Sequence, residues 1–146
     1  GVSGLYALSG VNTAQRAQAE MIMQAVGDVI WLDKEAQMDA VTAISGSGPA
    51  YVFYFIEALQ PAALEHGLNE EQAKTLSLQT FIGASKLAEQ STEAPATLRG
   101  QVTSKGGTTE QAILSMENAA VKAAIIAAAK AAAQRSEALG DLLGKD

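Results

Sequence analysis

The sequence predicts an all-α chain, a bundle of five to seven helices with at most one short strand. Three observations carry this reading. Helix-start signals at Asn12 and Asn69 stand ahead of long stretches rich in helix formers. The apolar run from Pro49 through Leu64 is longer than a strand. The chain closes on VKAAIIAAAKAAAQRSEALG, dominated by alanine, the strongest helix former. No repeat of fixed period and no alternation of strand and helix competes with it.

Each element has its own reason. Asn12 precedes TAQRAQAEMIMQAVG, with Gln15 placed to complete a capping box and Gly27 to end the helix, which predicts about 14 helical residues. DVIWL, Asp28 to Leu32, suits a short extended segment with no evident partner. Asp33 then reads as the cap of a helix through DKEAQMDAVTAI. A further helix is expected from about Pro49 to His66, with proline in its first turn and Ser45 or Ser47 as its cap. Its first half is apolar on every side, which implies burial all round, and Pro61 should kink it. Asn69 caps EEQAKTLSLQTFIGASKLAEQ, whose acidic first turn favours the helix dipole. EAPATLRGQV reads as a short helix broken by Gly100. After TSKGGTT a helix begins at about Thr109 and pauses near Asn118. The alanine-rich helix that follows has side chains small enough for a partner helix to approach closely.

Composition bounds the function. A chain of 146 residues, 48% of them hydrophobic, makes one packed domain and is too short for two ordinary ones. Net charge is -6, and ten Lys and Arg are scattered without the basic stripe that nucleic acid requires, so no nucleic-acid partner is expected. Cysteine is absent, which removes disulfides, thiolate nucleophiles and Cys-ligated zinc and fits a reducing, cytoplasmic location. The longest uncharged run, Ala40 to Ile56, falls short of the roughly 20 residues that span a bilayer, so no membrane partner is expected. The first residues do not form a signal peptide. They also lack an initiator methionine, as expected of a processed chain or a piece of a longer one.

Most candidate chemistry is structural. His66 lies beside Gly67 at a helix C-terminus, a place for a capping donor and not for a triad base. Glu35, Asp39, Glu70 and Glu71 sit in helix first turns as solvated or capping charges, and no cluster has metal-ligand spacing, so no metal is expected. The aromatics between Tyr51 and Ile56 read as core or interface. Two glycine-bearing segments remain. VTSKGGTTEQA sets two glycines and two threonines before a helix, where amides and hydroxyls suit an anion, with Arg99 and Lys105 as local positive charge. The same residues also describe a tight turn with Thr108 as N-cap, and they do not make a P-loop. SGSGP is no dinucleotide fingerprint either, because the G-x-G-x-x-G pattern fails at Tyr51.

Taken together, MDAVTAISGSGPAY (Met38 to Tyr51) and LRGQVTSKGGTTEQAI (Leu98 to Ile113) resemble the two strongest signatures of Δ1-pyrroline-5-carboxylate reductases. The resemblance extends from GVSGLY through AQRAQAE and VIWLDKE to the alanine-rich end. That family joins an amino-terminal Rossmann domain, which binds NADPH or NADH, to a helical domain that dimerises and supplies much of the substrate site. Residues 1–146 look like the second domain alone, with the dinucleotide bound mainly elsewhere. The resemblance implies reduction of a small anionic cyclic imine to L-proline by a homodimer or higher oligomer. It places the substrate carboxylate on the amides of Gly107 to Thr109, with Val102, Ser104, Gly106, Thr108 and Glu35 around the substrate. It puts the Thr109 hydroxyl near the ring nitrogen, Thr42 as a second catalytic polar group, and Gln101, Ser45 and Gly46 toward the cofactor. Lys105 departs from the proline that many members carry before the two glycines. A non-catalytic helical dimerisation module stays open as an alternative. So does the helical half of another imine or β-hydroxyacid dehydrogenase, though no Lys and Asn pair on one helix is evident for it.

Overall fold

The protein is described from a computed structural model covering residues 1–144. It is 72% helical, with six helices of seven residues or more. Two short strands are present where at most one was expected. The chain forms two compact units, one of residues 1–49 with 126–144 and one of Ala50–Ile125.

The first unit opens with β1 (Val2–Tyr6), α1 (Thr13–Gln24) and β2 (Asp28–Leu32). The strands pair in parallel, with Gly4 opposite Ile30. This is a strand-helix-strand unit, and it corrects the expectation of an unpartnered strand. VSGLY has weak strand propensity of its own, and pairing with residues well along the chain decides its conformation. A Cβ on Gly4 would stand 3.2 to 3.4 Å from Val41 Cγ atoms and Met38 Sδ, so glycine lets the following helical segment press onto the strand. On α1, the Asn12 and Gln15 capping box forms as expected, with both bonds at 2.9 to 3.0 Å. The helix spans 12 residues, and Gly27 follows its end at φ +150°. Glu20 on α1 accepts from Trp31 Nε1 of β2 at 3.0 Å, and the Arg16 guanidinium lies 4.4 Å over the same indole. These contacts fasten the helix to the sheet.

Asp33 does not cap the next helix. Gln37 Oε1 instead accepts from the Asp33 and Lys34 amides, both at 2.9 Å, and a 3₁₀ turn forms at Glu35–Gln37. One α turn follows, α2 (Met38–Val41), and then a π turn at Thr42–Gly46 closed by Ser47 N–H to the Thr42 carbonyl at 2.8 Å. Neither Ser45 nor Ser47 therefore begins a helix as a cap.

Helix α3 (Gly48–Glu65) carries Pro49 in its first turn as expected. It ends in a Schellman closure: Leu68 N–H reaches the Ala63 carbonyl and Gly67, at φ +86°, reaches Leu64. The second unit holds most of α3, then α4 (Glu70–Gln90), α5 (Pro95–Gln101), α6 (Thr108–Asn118) and the start of α7 (Val121–Leu143). Asn69 caps α4 with a full capping box. Phe55 and Phe81 rings meet tilted at 48°, with centroids 6.3 Å apart, and join α3 to α4. Small residues let these helices approach: Ala73 and Ser77 of α4 are buried, and Ser77 Oγ donates to the Ala73 carbonyl at 2.7 Å. The pause after Asn118 is a break at Ala119 and Ala120, the latter held at φ 53°, where a Cβ costs about 1 to 2 kcal/mol.

Burial all round α3 is not met within the chain. Among the described residues the buried ones are Ala43, Ala73 and Ser77, none of them large. Phe53 and Tyr54 are 66% and 74% exposed, in the part of α3 that is most apolar. Unpartnered surface of this kind marks an association face.

Candidate functional site

The sequence-predicted residues fall into two groups, one in each unit. Glu35, Thr42, Ser45 and Gly46 belong to the first unit. Glu35 is exposed at the start of the 3₁₀ turn, and the other three lie on the π turn, where Thr42 and Gly46 are exposed and Ser45 is half-buried. Widened turns of this type often occur at functional sites because the extra residue re-aims its neighbours. Here the i to i+5 bond frees one residue of the usual ladder.

The second group is a continuous loop. Helix α5 ends at Gln101, one residue beyond Gly100, so that glycine does not break it. Val102 follows, 61% exposed, and Thr103 Oγ1 donates back to the Arg99 carbonyl at 2.6 Å. Residues 104–107 then form a tight turn closed by Gly107 N–H to the Ser104 carbonyl at 3.0 Å, with Gly106 at φ +74°. A positive φ at the third position marks a type II turn, which glycine alone adopts without strain. Lys105 occupies the second position, the one proline prefers. The departure read in the sequence therefore alters how stiff the turn is and leaves its shape attainable.

The helix start itself differs from expectation. Gly107, and not Thr108, is the N-cap of α6, at φ -83° and ψ 171°, and it has no side chain to offer. Those angles suit any residue. Glycine is needed for closeness: a Cβ there would lie 2.5 Å from Ser104 Oγ and 3.0 Å from its carbonyl oxygen. The Gly107 amide is spent on the turn, and the first amides of α6, those of Thr108, Thr109 and Glu110, have no acceptor among the described residues. They carry the positive end of the helix dipole. Thr108 is exposed and Thr109 half-buried. Glu110, in the same first turn, accepts from the Gly106 amide at 2.8 Å, a contact the sequence reading missed. An acidic residue three places after the cap glycine was the available signal.

Arg99 does not lend its charge freely to this loop. Its Nη1 lies 3.4 Å from Glu117 Oε1, and Lys122 Nζ is 2.8 Å from the same oxygen. The Lys122 hydrogen bond and charge, with Arg99 behind them, hold the Glu117 carboxyl below its ordinary value. Lys105, exposed and without an ion pair among the described residues, is the positive charge the loop keeps.

Cavities of the second unit lie elsewhere. One of about 190 Å³ is lined by Phe55, Arg99, Ile113, Met116, Glu117 and Val121 among others, and another of about 530 Å³ by Phe55, Leu59, Phe81, Met116 and Val121 among others. Apart from Arg99, none of the sequence-predicted residues lines either, and their walls are mainly apolar, which suits packing and not catalysis. No group of three His, Cys, Asp or Glu among the described residues is placed to hold a metal.

A helical domain with open apolar faces and a donor-bearing loop is the class these features define. The family model for pyrroline-5-carboxylate reductase dimerisation matches residues 35–139, and the chain belongs to that family. A pyrroline-5-carboxylate reductase of Pseudomonas aeruginosa is 49% identical over 145 residues, covering 99% of this chain and 53% of that protein. One from Synechocystis is 42% identical over 140 residues, covering 96% and 52%. Among solved structures, the pyrroline-5-carboxylate reductase of Coxiella burnetii superposes with a TM-score of 0.90 at 45% identity, over 94% of this chain and 51% of that one. The Plasmodium falciparum pyrroline carboxylate reductase, solved with NADP bound, gives 0.82 at 34% identity, over 94% and 57%. The chain spans about half the length of the curated relatives it matches. The strand-helix-strand unit precedes the matched region, which starts within the 3₁₀ turn.

Proposed function

We infer that this chain is the dimerising and substrate-holding part of a pyrroline-5-carboxylate reductase, which converts Δ1-pyrroline-5-carboxylate to L-proline at the expense of NAD(P)H in the cytoplasm. The observation that carries it is the loop of residues 102–109 in a chain of this family, with the Thr108 and Thr109 amides left for a carboxylate at the positive end of α6. Val102, Ser104, Gly106 and Gly107 shape that cradle. The Thr109 hydroxyl is the group placed to hold the ring nitrogen, since a hydroxyl can both donate and accept. By family resemblance alone, Thr42 and Glu35 are assigned to the substrate and Gln101, Ser45 and Gly46 to the nicotinamide.

The pyrophosphate of a dinucleotide does not fit the described residues. The turn between β1 and α1 lacks the glycine fingerprint, and the Gln15 and Asn12 amides there are already taken by the capping box. The hydride donor is therefore held by another part of the protein. This chain's share is to fix the anionic end of the imine, keep its nitrogen hydrogen-bonded and orient it, which is worth several kcal/mol in a near-attack geometry.

The open apolar faces of α3 are covered in a homodimer with helices interleaved between protomers. No single helix among the described residues is long and apolar enough to cross a membrane. The experiment is an assay of the full-length protein with the imine and NADPH or NADH. Proline should form as the nicotinamide is oxidised, and residues 1–146 alone should give none. An inactive full-length protein would leave the dimerisation module as the better reading. Sedimentation should show a dimer at micromolar concentration, and a sharp monomer boundary would refute the interleaved assembly.

A further inference from the structure

We propose that Glu110 is a positioning residue for the substrate loop: it holds the turn at residues 104–107 through the Gly106 amide, and acts as a hydrogen-bond acceptor and not as a negative charge. The proposal rests on the reductase reading given above.

Helix α6 begins on a glycine, so its N-cap has no side chain to organise the entry. In an ordinary capping box the third helical residue reaches back to the cap residue's own amide. Here that amide is given to the Ser104 carbonyl at 3.0 Å. Glu110, half-buried, reaches one residue further and takes the Gly106 amide at 2.8 Å. Gly106 sits at φ +74°, one of several conformations glycine visits freely, so its own covalent structure does not hold it there. Lys105 at the second turn position does not pre-set the backbone as proline would. The Glu110 bond thus joins the turn to the helix it precedes and holds Gly106 at the angle from which α6 and its first amides follow. Its charge works the other way, since a carboxylate beside an anion site repels the anion. A neutral acceptor of the same reach should therefore serve at least as well.

The test compares wild type, Glu110→Ala, Glu110→Gln and the double variant Glu110→Ala with Lys105→Pro in the full-length reductase. In Glu110→Ala the KM for the imine should rise roughly two- to twelvefold, as expected for one lost hydrogen bond of the strength made between neutral groups. Its kcat and the KM for the nicotinamide should stay near wild type. Glu110→Gln should show a KM at or below wild type, and Lys105→Pro should restore slow exchange at Gly106 in the alanine variant by stiffening the turn. Amide hydrogen exchange at Gly106 should quicken in Glu110→Ala and not in Glu110→Gln. A wild-type KM in Glu110→Ala, a glutamine variant as impaired as alanine, no rescue by proline, or unchanged exchange at Gly106 would each overturn the proposal. A wild-type protein that reduces no imine would sink the reductase reading instead, and Gly106 exchange would then decide on Glu110 alone.

Discussion

Residues 42–48 and residues 102–108 both bring glycine and hydroxyl side chains to the entry of a helix, yet they dispose of their backbone donors differently. In the first, Ser47 sits at φ -85° and ψ -19°, so the chain passes from one helical turn into the next, and the Ser47 amide is returned to Thr42 across the π turn. In the second, the chain leaves helical geometry altogether, and α6 restarts from an extended Gly107 with the first amides unclaimed. The glycines alone do not distinguish the two. Accounting for each amide does, and under the proposed function it makes the second segment the one that holds the anion.

The largest test of that contrast lies in the glycines. Gly107→Val puts carbon against Ser104 from 2.5 Å, so the turn must move, and a displacement of this size should lower kcat/KM by about a hundredfold. Gly46→Ala adds a carbon whose nearest neighbour is Thr42 Cγ2 at 3.8 Å, an ordinary contact. It should hold or raise the melting temperature, as glycine replacement within helical backbone does. Kinetics and melts on both variants check the pair. A Gly107→Val enzyme with wild-type kcat/KM would remove the loop from the site.

Next come the two threonines. Thr109→Val keeps the shape and removes the hydroxyl proposed to hold the ring nitrogen, for which a loss of about 1.5 to 3 kcal/mol or roughly ten- to 150-fold in kcat/KM is expected. Thr42→Val removes a hydroxyl from an exposed turn, where a neutral bond is worth about 0.5 to 1.5 kcal/mol, roughly two- to twelvefold. Neither residue is an N-cap, so melting temperatures should barely move. If Thr109→Val lost stability and kept its kinetics, the loop would be a turn and nothing more.

What the sequence made legible was what the chain decides locally. Asn12 and Asn69 were readable as caps because their bonds reach only three residues. The closure at Gly67 and the restart after Asn118 follow from neighbours as well. Strand β1 was missed because its conformation comes from pairing with β2 through the register of Val2 with Asp28, and nothing in VSGLY announces that. The π turn was hidden for another reason: bonds to i+4 and i+5 differ by one residue, and nothing in the spacing of TAISG distinguishes them. The apolar run of α3 announces a need for burial, and the exposed Phe53 and Tyr54 show that one chain does not meet it. The site residues came from resemblance, and spacing alone had left the loop open between an anion cradle and a turn.

The smallest effect concerns what braces the second segment at both ends. Glu117 on α6 receives Lys122 of α7 and Arg99 of α5, and so ties together the helices before and after the loop. Residues 42–48 carry no such ion pair among the described ones. The Lys122 hydrogen bond and charge, then Arg99, hold the Glu117 carboxyl below its ordinary value. A carboxyl depressed in the folded state stabilises above its unfolded pKa, and that stabilisation is lost as pH falls through the folded one. Glu117→Gln should therefore melt slightly below wild type at neutral pH. The gap should narrow in high salt, because the pair is exposed and screened, and close once acid protonates Glu117 in the wild type. Thermal melts across pH and salt read this directly. A gap that survives both acid and salt would mean that Glu117 braces the loop by packing, and the charge account of Arg99 would then have to be given up.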